Sequence, residues 1–136
     1  MNNIQLIVLT PYGKYFEGFV DFLEVRSPEY NLGILPGHTP LISTVAICKM
    51  TVKIGDRKEY YAVGGGVIRV EKENKVTLIL DSIESADEID IARAQEAKKR
   101  AEDRLSEAIK NDAIDVSRAK LALLKAINRI NIGTNK

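Results

Sequence analysis

Residues 75–94 read KVTLILDSIESADEIDIARA, and within this stretch the chain changes from one kind of secondary structure to another. Lys75–Asp81 has the alternating apolar and polar residues of a β-strand. Ser85 and Glu88 then have the spacing of a capping box, in which each side chain satisfies a backbone N–H at the start of a helix. All glycines except Gly133, and all prolines, tyrosines and phenylalanines, lie before this point, whereas alanine becomes frequent after it. The sequence therefore predicts a domain boundary near residue 85.

Residues 1–85 have the pattern of an all-β domain. Apolar and polar residues alternate over residues 50–54, and the turn dipeptide Gly55-Asp56 follows, which predicts a hairpin. Glu73-Asn74 gives a second hairpin signal between two alternating runs. Two further runs of strand-forming residues are Ile4–Thr10 and Phe16–Ser27. Many short strands separated by turns are typical of a sandwich or barrel, and we expect an N-terminal β-sandwich.

Residues 86–136 have helical spacing instead, with two apolar stripes separated by a break at Asn111-Asp112. The first stripe is Ala94, Ala97, Ala101, Leu105 and Ala108, and the second is Val116, Ala119, Leu123, Ala126, Ile127 and Ile130. Asp112 or Asp115 is expected to cap the second helix. Because the break is short, we expect a C-terminal antiparallel two-helix hairpin, which makes the fold class α+β. The sequence by itself indicates no internal repeat.

The alanines of the two stripes predict a weak seam between the helices. Alanine allows close approach but buries little apolar area, and burial contributes only about 25 cal/mol per Å². The hairpin is therefore either a marginal element that can open or one that simply packs on the β domain.

Composition argues against several functional classes. The 136 residues include 20 basic and 19 acidic side chains, and this balance lacks the bulk charge that attracts nucleic acid or membrane surfaces. No apolar run approaches the ~20 residues that cross a bilayer, and the N-terminus lacks the basic start of a signal peptide. The single histidine, His38, lies in turn sequence, and the single cysteine, Cys48, lies in an apolar run. We therefore predict no catalytic residue, no metal site and no disulfide.

Basic side chains recur along one side of each predicted helix. They are Arg93, Arg100 and Arg104 in the first helix and Arg118, Lys125 and Arg129 in the second. Such residues commonly form a solvated face, and the intervening acidic residues favour that interpretation. Clustered arginines also clamp phosphates or meet an acidic protein surface, and the sequence leaves these alternatives open.

Three stretches resemble the epsilon subunits of bacterial F-type ATP synthases: NLGILPGHTP at Asn31–Pro40, VGGG at Val63–Gly66 and IDIARA at Ile89–Ala94. The resemblance implies a β-sandwich followed by a helical hairpin. It also implies a non-catalytic central-stalk subunit that couples the catalytic head to a proton- or sodium-driven c-ring and regulates ATP hydrolysis. Such a subunit is peripheral, at the cytoplasmic face of the cell membrane, and neither inserts into the membrane nor binds nucleic acid.

The resemblance also implies which residues contact the partner subunits. The loop of Glu29, Tyr30 and Asn31 would face the c-ring, with His38 nearby, and the β domain would bind the gamma subunit. The basic residues of the second helix would oppose hydrolysis by contacting the catalytic alpha and beta subunits; they are Arg118, Lys125 and Arg129.

In some members of this family the hairpin binds ATP as a regulatory ligand, and no cofactor is required. The corresponding residues here are Glu84, Asp90, Arg93, Arg100 and Arg129. Lys125 departs from relatives that carry arginine, and lysine lacks the planar fork of a guanidinium. Alternatively, Asp90 merely pairs with Arg93 at the start of the helix. A competing hypothesis for the whole chain is a free-standing ATP-sensing binding protein.

Overall fold

The computed structural model describes residues 3–108 and 115–134, and this part of the chain forms eight strands and two α-helices. The strands are β1 (Ile4–Thr10), β2 (Gly13–Val20), β3 (Phe22–Arg26), β4 (Asn31–Ile34), β5 (Leu41–Ile54), β6 (Arg57–Glu71), β7 (Lys75–Leu80) and β8 (Ile83–Ser85). A 3₁₀ turn (Ala86–Glu88) precedes α1 (Ile91–Ala108) and α2 (Val116–Thr134). The chain divides into two compact units, Met1–Ser85 and Ala86–Lys136. The α+β class is confirmed.

Hydrogen bonds join the strands of the first unit in the order β2-β1-β7-β6-β5-β3-β4, and β8 pairs with β6. All pairs are antiparallel except β1 with β7. The turns at Gly55-Asp56 and Glu73-Asn74 join β5 to β6 and β6 to β7, as predicted. Glu73 and Asn74 take left-handed φ angles of 66° and 62°, which asparagine tolerates better than most residues. Buried side chains of β1 to β7 form one core, which confirms the β-sandwich.

The run Phe16–Ser27, expected as one strand, is divided between β2 and β3. Asp21 interrupts it, because its backbone N–H donates to the carbonyl oxygen of Lys53 at 2.8 Å. Its carboxylate Oδ2 also accepts from the Gly55 N–H at 2.6 Å. These bonds reach across the sequence to the β5–β6 turn, so local alternation gives no sign of the break.

The glycine run Gly64–Gly66 lies inside β6. The core-facing residues of this strand have odd numbers before the run and even numbers after it. Tyr61 and Val63 pack on the core before it, and Ile68 and Val70 pack on the core after it. A Cβ at Gly66 would lie 2.0 Å from the carbonyl oxygen of Ile79. Glycine is therefore required at this position by the close approach of the β7 backbone.

Cys48 is buried in the core, as its apolar surroundings predict. Burial raises the pKa of its thiol above the ordinary value, against smaller opposing effects from a hydrogen bond to the Arg26 backbone and the Arg26 charge. The thiol therefore stays protonated, and so poorly nucleophilic, at physiological pH.

Aspartates cap both helices of the second unit. The Asp90 carboxylate accepts from the Arg93 N–H at 3.1 Å, so α1 begins after Asp90 and not at the predicted Ser85–Glu88 box. That segment forms the end of β8 and a 3₁₀ turn instead. The Asp115 carboxylate accepts from the Arg118 N–H, also at 3.1 Å. Asp115 is thus the predicted cap of α2, and the alternative, Asp112, lies outside the described residues.

The two helices pack against each other in antiparallel fashion. The end of α2 lies beside the start of α1, since a Cβ at Gly133 would be 2.9 Å from the Ile89 side chain. The seam buries Ala94 and Ala101 of α1 with Ala119 and Ala126 of α2, as the stripes predict. Val116 was expected in the second stripe but is 40% exposed, because it lies in the first turn of α2. In the described residues, neither helix has the length and apolar character needed to span a membrane.

Candidate functional site

The turn between β3 and β4 presents Glu29, Tyr30 and Asn31 to solvent, and Tyr30 is 52% exposed. Ser27, which is buried, holds this turn together. Its hydroxyl accepts from the Glu29 and Tyr30 N–H groups at 3.2 and 3.0 Å and donates to the Tyr30 carbonyl oxygen at 3.1 Å. Sequence reasoning missed Ser27, although a serine followed by Pro28 is a turn signal. The turn is therefore a pre-organised projection that suits contact with another surface.

His38 lies in the loop that follows β4, at the other end of this strand from the turn. Three residues of extended chain separate Asn31 from Ile34, which corresponds to about 10 Å. The loop is fixed by the Gly37 N–H, which donates to the side-chain oxygen of Asn74 at 2.7 Å. The imidazole Nδ1 lies 2.6 Å from the Thr39 carbonyl oxygen. The structure therefore does not bring His38 together with Glu29, Tyr30 and Asn31.

An apolar row runs across the outer face of the sheet, where polar residues are usual. Val67 and Ile79 are directly opposite each other on β6 and β7, and Leu9 of β1 is opposite Ile79 on the other side. Ile42 of β5 lies on the same face, two residues from the partner of Val67. Ile42, Val67 and Ile79 are 74%, 42% and 55% exposed. A contiguous exposed apolar row of this kind is typical of a protein contact surface.

The IDIARA motif has a structural explanation in the hairpin. Asp90 is the N-cap of α1, and the group that its carboxylate contacts is the backbone amide of Arg93. Ala94 is fully buried in the seam. Arg93 is exposed, so it is the member of the motif with an outward-facing charge.

The remaining residues of the predicted nucleotide set belong to three different elements. Glu84 belongs to β8, in the first unit, where it is opposite Ala62 of β6. Arg100 lines an open groove between α1 and α2, together with Arg104 and Arg118. Arg129 lies in the last part of α2, where it is half-buried. The structure thus places Arg100 in the same groove as Arg118, which the resemblance assigns to a different contact.

The predicted inhibitory residues lie along α2. Arg118 is exposed in its first turn, whereas Lys125 and Arg129 are half-buried. The outer side of α2 also exposes Leu121 and Leu124, at 53% and 54%. No group of three or more His, Cys, Asp or Glu residues suited to a metal ion occurs within residues 3–108 and 115–134.

Comparison with known proteins gives consistent matches over both units. Residues 3–86 match the beta-sandwich domain of the ATP synthase delta/epsilon chain, and residues 87–133 match its long alpha-helix domain. The ATP synthase epsilon chain of Bacillus cytotoxicus is 40% identical over 136 residues, which is 100% of both chains. That of Alkalihalophilus pseudofirmus is 42% identical over 132 residues, covering 97% of this chain and 98% of the relative.

Solved structures share the fold at low sequence identity. A chain of the Euglena gracilis mitochondrial ATP synthase superposes with a TM-score of 0.80 at 20% identity, covering 93% of this chain and 78% of its own. A chain of the Tetrahymena thermophila central stalk and c-ring superposes with a TM-score of 0.54 at 15% identity, covering 63% and 69%. With both domain models matched in order and relatives of equal length, this chain belongs to the ATP synthase delta/epsilon chain family.

Proposed function

We propose that this chain is a non-catalytic rotor subunit of an F-type ATP synthase. It would bind the gamma subunit, stand on the c-ring, and regulate hydrolysis by the alpha and beta subunits. The observation that carries the proposal is the full-length similarity to bacterial epsilon chains, at 40% identity over 136 residues. The complex would be driven by protons or sodium ions, with this subunit at the cytoplasmic face of the cell membrane as a peripheral protein.

The first unit has two surfaces that support this role. The turn held by Ser27 projects Glu29, Tyr30 and Asn31, and we assign this projection to the c-ring contact. His38 lies at the other end of β4, so we place it outside the same contact. The apolar row of Ile42, Val67 and Ile79 fits packing against gamma, because an exposed apolar surface gains from burial in an assembly.

Affinity purification tests this proposal. A tagged copy of the chain, expressed in its own host and extracted from solubilised membranes, is expected to bring down the alpha, beta, gamma and c subunits. Ile79→Lys should weaken recovery of gamma, since it places a charge in the apolar row. Tyr12→Lys is the matched control, because Tyr12 is 98% exposed in the β1–β2 turn and outside the row.

Two outcomes contradict the proposal in different ways. Recovery of the chain alone would support the free-standing ATP-sensing protein over a rotor subunit. If the unmodified chain recovers the complex but both lysine variants lose gamma equally, the rotor role stands. In that case the apolar row is not part of the gamma interface.

We also propose ATP as a regulatory ligand of the hairpin. Arg93 and Arg100 are exposed on α1 and offer bidentate donors for phosphates, while Arg129 is contributed by α2. The Asp90 carboxylate already serves as a helix cap, so its contact with a nucleotide must be compatible with that bond. Binding of ATP to the closed hairpin alone would stabilise it by about 2.7 kcal/mol at a hundredfold excess over Kd.

A calorimetric titration of the full chain at physiological salt tests this ligand. Arg93→Ala is expected to abolish the ATP signal, and Lys125→Arg to strengthen it by restoring a planar donor. Asp90→Asn keeps a good N-cap while removing the carboxylate charge, so it separates helix stability from ligand contact. No binding by the unmodified chain at millimolar ATP would reduce the motif to its capping role.

A further inference from the structure

The two helices contain an internal repeat that inspection of the sequence had not indicated. Alignment of their caps pairs Asp90 with Asp115, and the same offset pairs identical residues along both helices. The further pairs are Arg93 with Arg118, Ala94 with Ala119, Ala97 with Ala122, Ala101 with Ala126, and Arg104 with Arg129. At this offset Arg100 is paired with Lys125, which keeps the charge. The absence of a repeat, stated from the sequence, is therefore wrong.

The repeated residues have repeated structural roles. Both aspartates cap with the same geometry, at 3.1 Å from the N–H three residues ahead. Ala94 and Ala119 are both buried in the seam. Because the helices are antiparallel, the repeat gives the hairpin an approximate two-fold axis. The surroundings of Asp115 and Arg118 are thus a second copy of the IDIARA site, at the other end of the seam.

This second copy opens into the groove between α1 and α2, which has a volume of about 540 Å³. Such a volume lies within the range of small-ligand sites. Arg100 and Arg104 line it from α1, one helical turn apart, and Arg118 lines it from α2. Alanines of both helices also line it, so apolar side chains accompany the cationic ones.

The charge of the groove is not neutralised by ion pairs in the described structure. Within residues 3–108 and 115–134, Arg100, Arg104 and Arg118 make no ion pair. Of the described residues that line the groove, Asp115 is the one with a carboxylate, and this carboxylate accepts from the Arg118 N–H. Three guanidinium groups therefore face one carboxylate across a concave surface.

We propose that this groove is a phosphate-binding site carried by Arg104 and Arg118, at the other end of the seam from Asp90 and Arg93 of the IDIARA motif; Arg100 is common to the groove and the predicted nucleotide set. Guanidinium groups bind phosphate oxygens through pairs of parallel hydrogen bonds. A concave site flanked by arginines from two helices fits a small, multiply charged anion better than it fits an extended acidic protein surface. The ligand class is a di- or triphosphate group, either free or as part of a nucleotide.

Calorimetry with sodium pyrophosphate on the full chain, at physiological salt, tests the site. The double variant Arg104→Gln/Arg118→Gln should bind pyrophosphate at least tenfold more weakly, because two charge-assisted contacts are removed. Lys99→Gln/Lys120→Gln is the matched control, since it removes the same charge from exposed positions outside the groove. Its Kd should stay within about twofold of the unmodified chain, and circular dichroism confirms that both variants keep their helices.

A second arm compares pyrophosphate with ATP in the Arg93→Ala variant. Pyrophosphate binding that survives Arg93→Ala but not the groove variant supports two distinct sites. This result stands even if ATP fails to bind, so failure of the nucleotide proposal is distinguishable from failure of the groove. If the groove variant also binds ATP more weakly, the ligand of the groove is a nucleotide.

Three results would overturn the phosphate site. One is no pyrophosphate binding at millimolar concentration, and another is equal weakening in the groove variant and the lysine control. The third is tighter binding of an acidic peptide than of pyrophosphate through the same arginines, which would make the groove a protein contact.

Discussion

Deletion of residues 86–136 is expected to raise ATP hydrolysis by the assembled complex several-fold while ATP synthesis remains possible. The expectation rests on the proposed rotor role, in which the helices obstruct rotation in the hydrolytic direction. The first unit contains the whole sheet and its core, so it keeps the surfaces assigned to gamma and the c-ring. Hydrolysis and synthesis by membranes with full-length or shortened chain, over a range of ATP concentrations, give the comparison.

The deletion requires that residues 1–85 fold without the helices, which we predict from the composition break and the self-contained core. A cooperative thermal transition of the isolated fragment, and its recovery with the complex, are the controls. If hydrolysis is unchanged at every ATP concentration although the fragment assembles, the hairpin of this protein is not an inhibitor.

Replacement of Gly66 by alanine is expected to lower the free energy of unfolding by about 4 kcal/mol or more. The new Cβ would lie 2.0 Å from the Ile79 carbonyl oxygen, and this backbone atom belongs to the paired strand β7. To relieve the clash, β6 and β7 would have to move apart at the position where the core-facing residues of β6 change from odd to even numbers. Denaturant unfolding of the purified chain measures the effect, and failure to fold at all is its extreme form.

Gly33→Ala is the matched control within the same sheet. Its Cβ would lie 3.3 Å from the Phe22 ring, which is a side chain that can shift, so a loss of about 1 kcal/mol is expected. Equal destabilisation by the two substitutions would show that the contact with Ile79 is not what requires glycine at position 66.

Local pattern predicted those parts of the fold that depend on local chemistry. The β5–β6 and β6–β7 hairpins follow from alternation and turn residues, and the alanine seam follows from helical spacing. The break at Asp21 was missed because its partners, Lys53 and Gly55, are distant in sequence. The start of α1 was misplaced because Ser85 and Asp90 both precede apolar residues at helical spacing, and pairing of Ser85 with β6 decides between them.

The candidate sites show the same division between local and long-range information. Helical spacing places Arg100 and Arg104 on one side of α1, but only the register of the antiparallel pair brings Arg118 to the same groove. The apolar row was missed because Ile42, Val67 and Ile79 come from three strands and become neighbours through pairing alone. The repeat was missed because the outer faces differ, with Lys99 of α1 aligned to Leu124 of α2.

The two aspartate caps have a mechanical consequence for the hairpin. Each cap closes within its own helix, from Asp90 to Arg93 and from Asp115 to Arg118. Drawing the helices apart therefore breaks no N-terminal backbone bond, and the work of separation comes from the side chains of the seam. Each helix can therefore keep its N-terminal cap when the two helices separate.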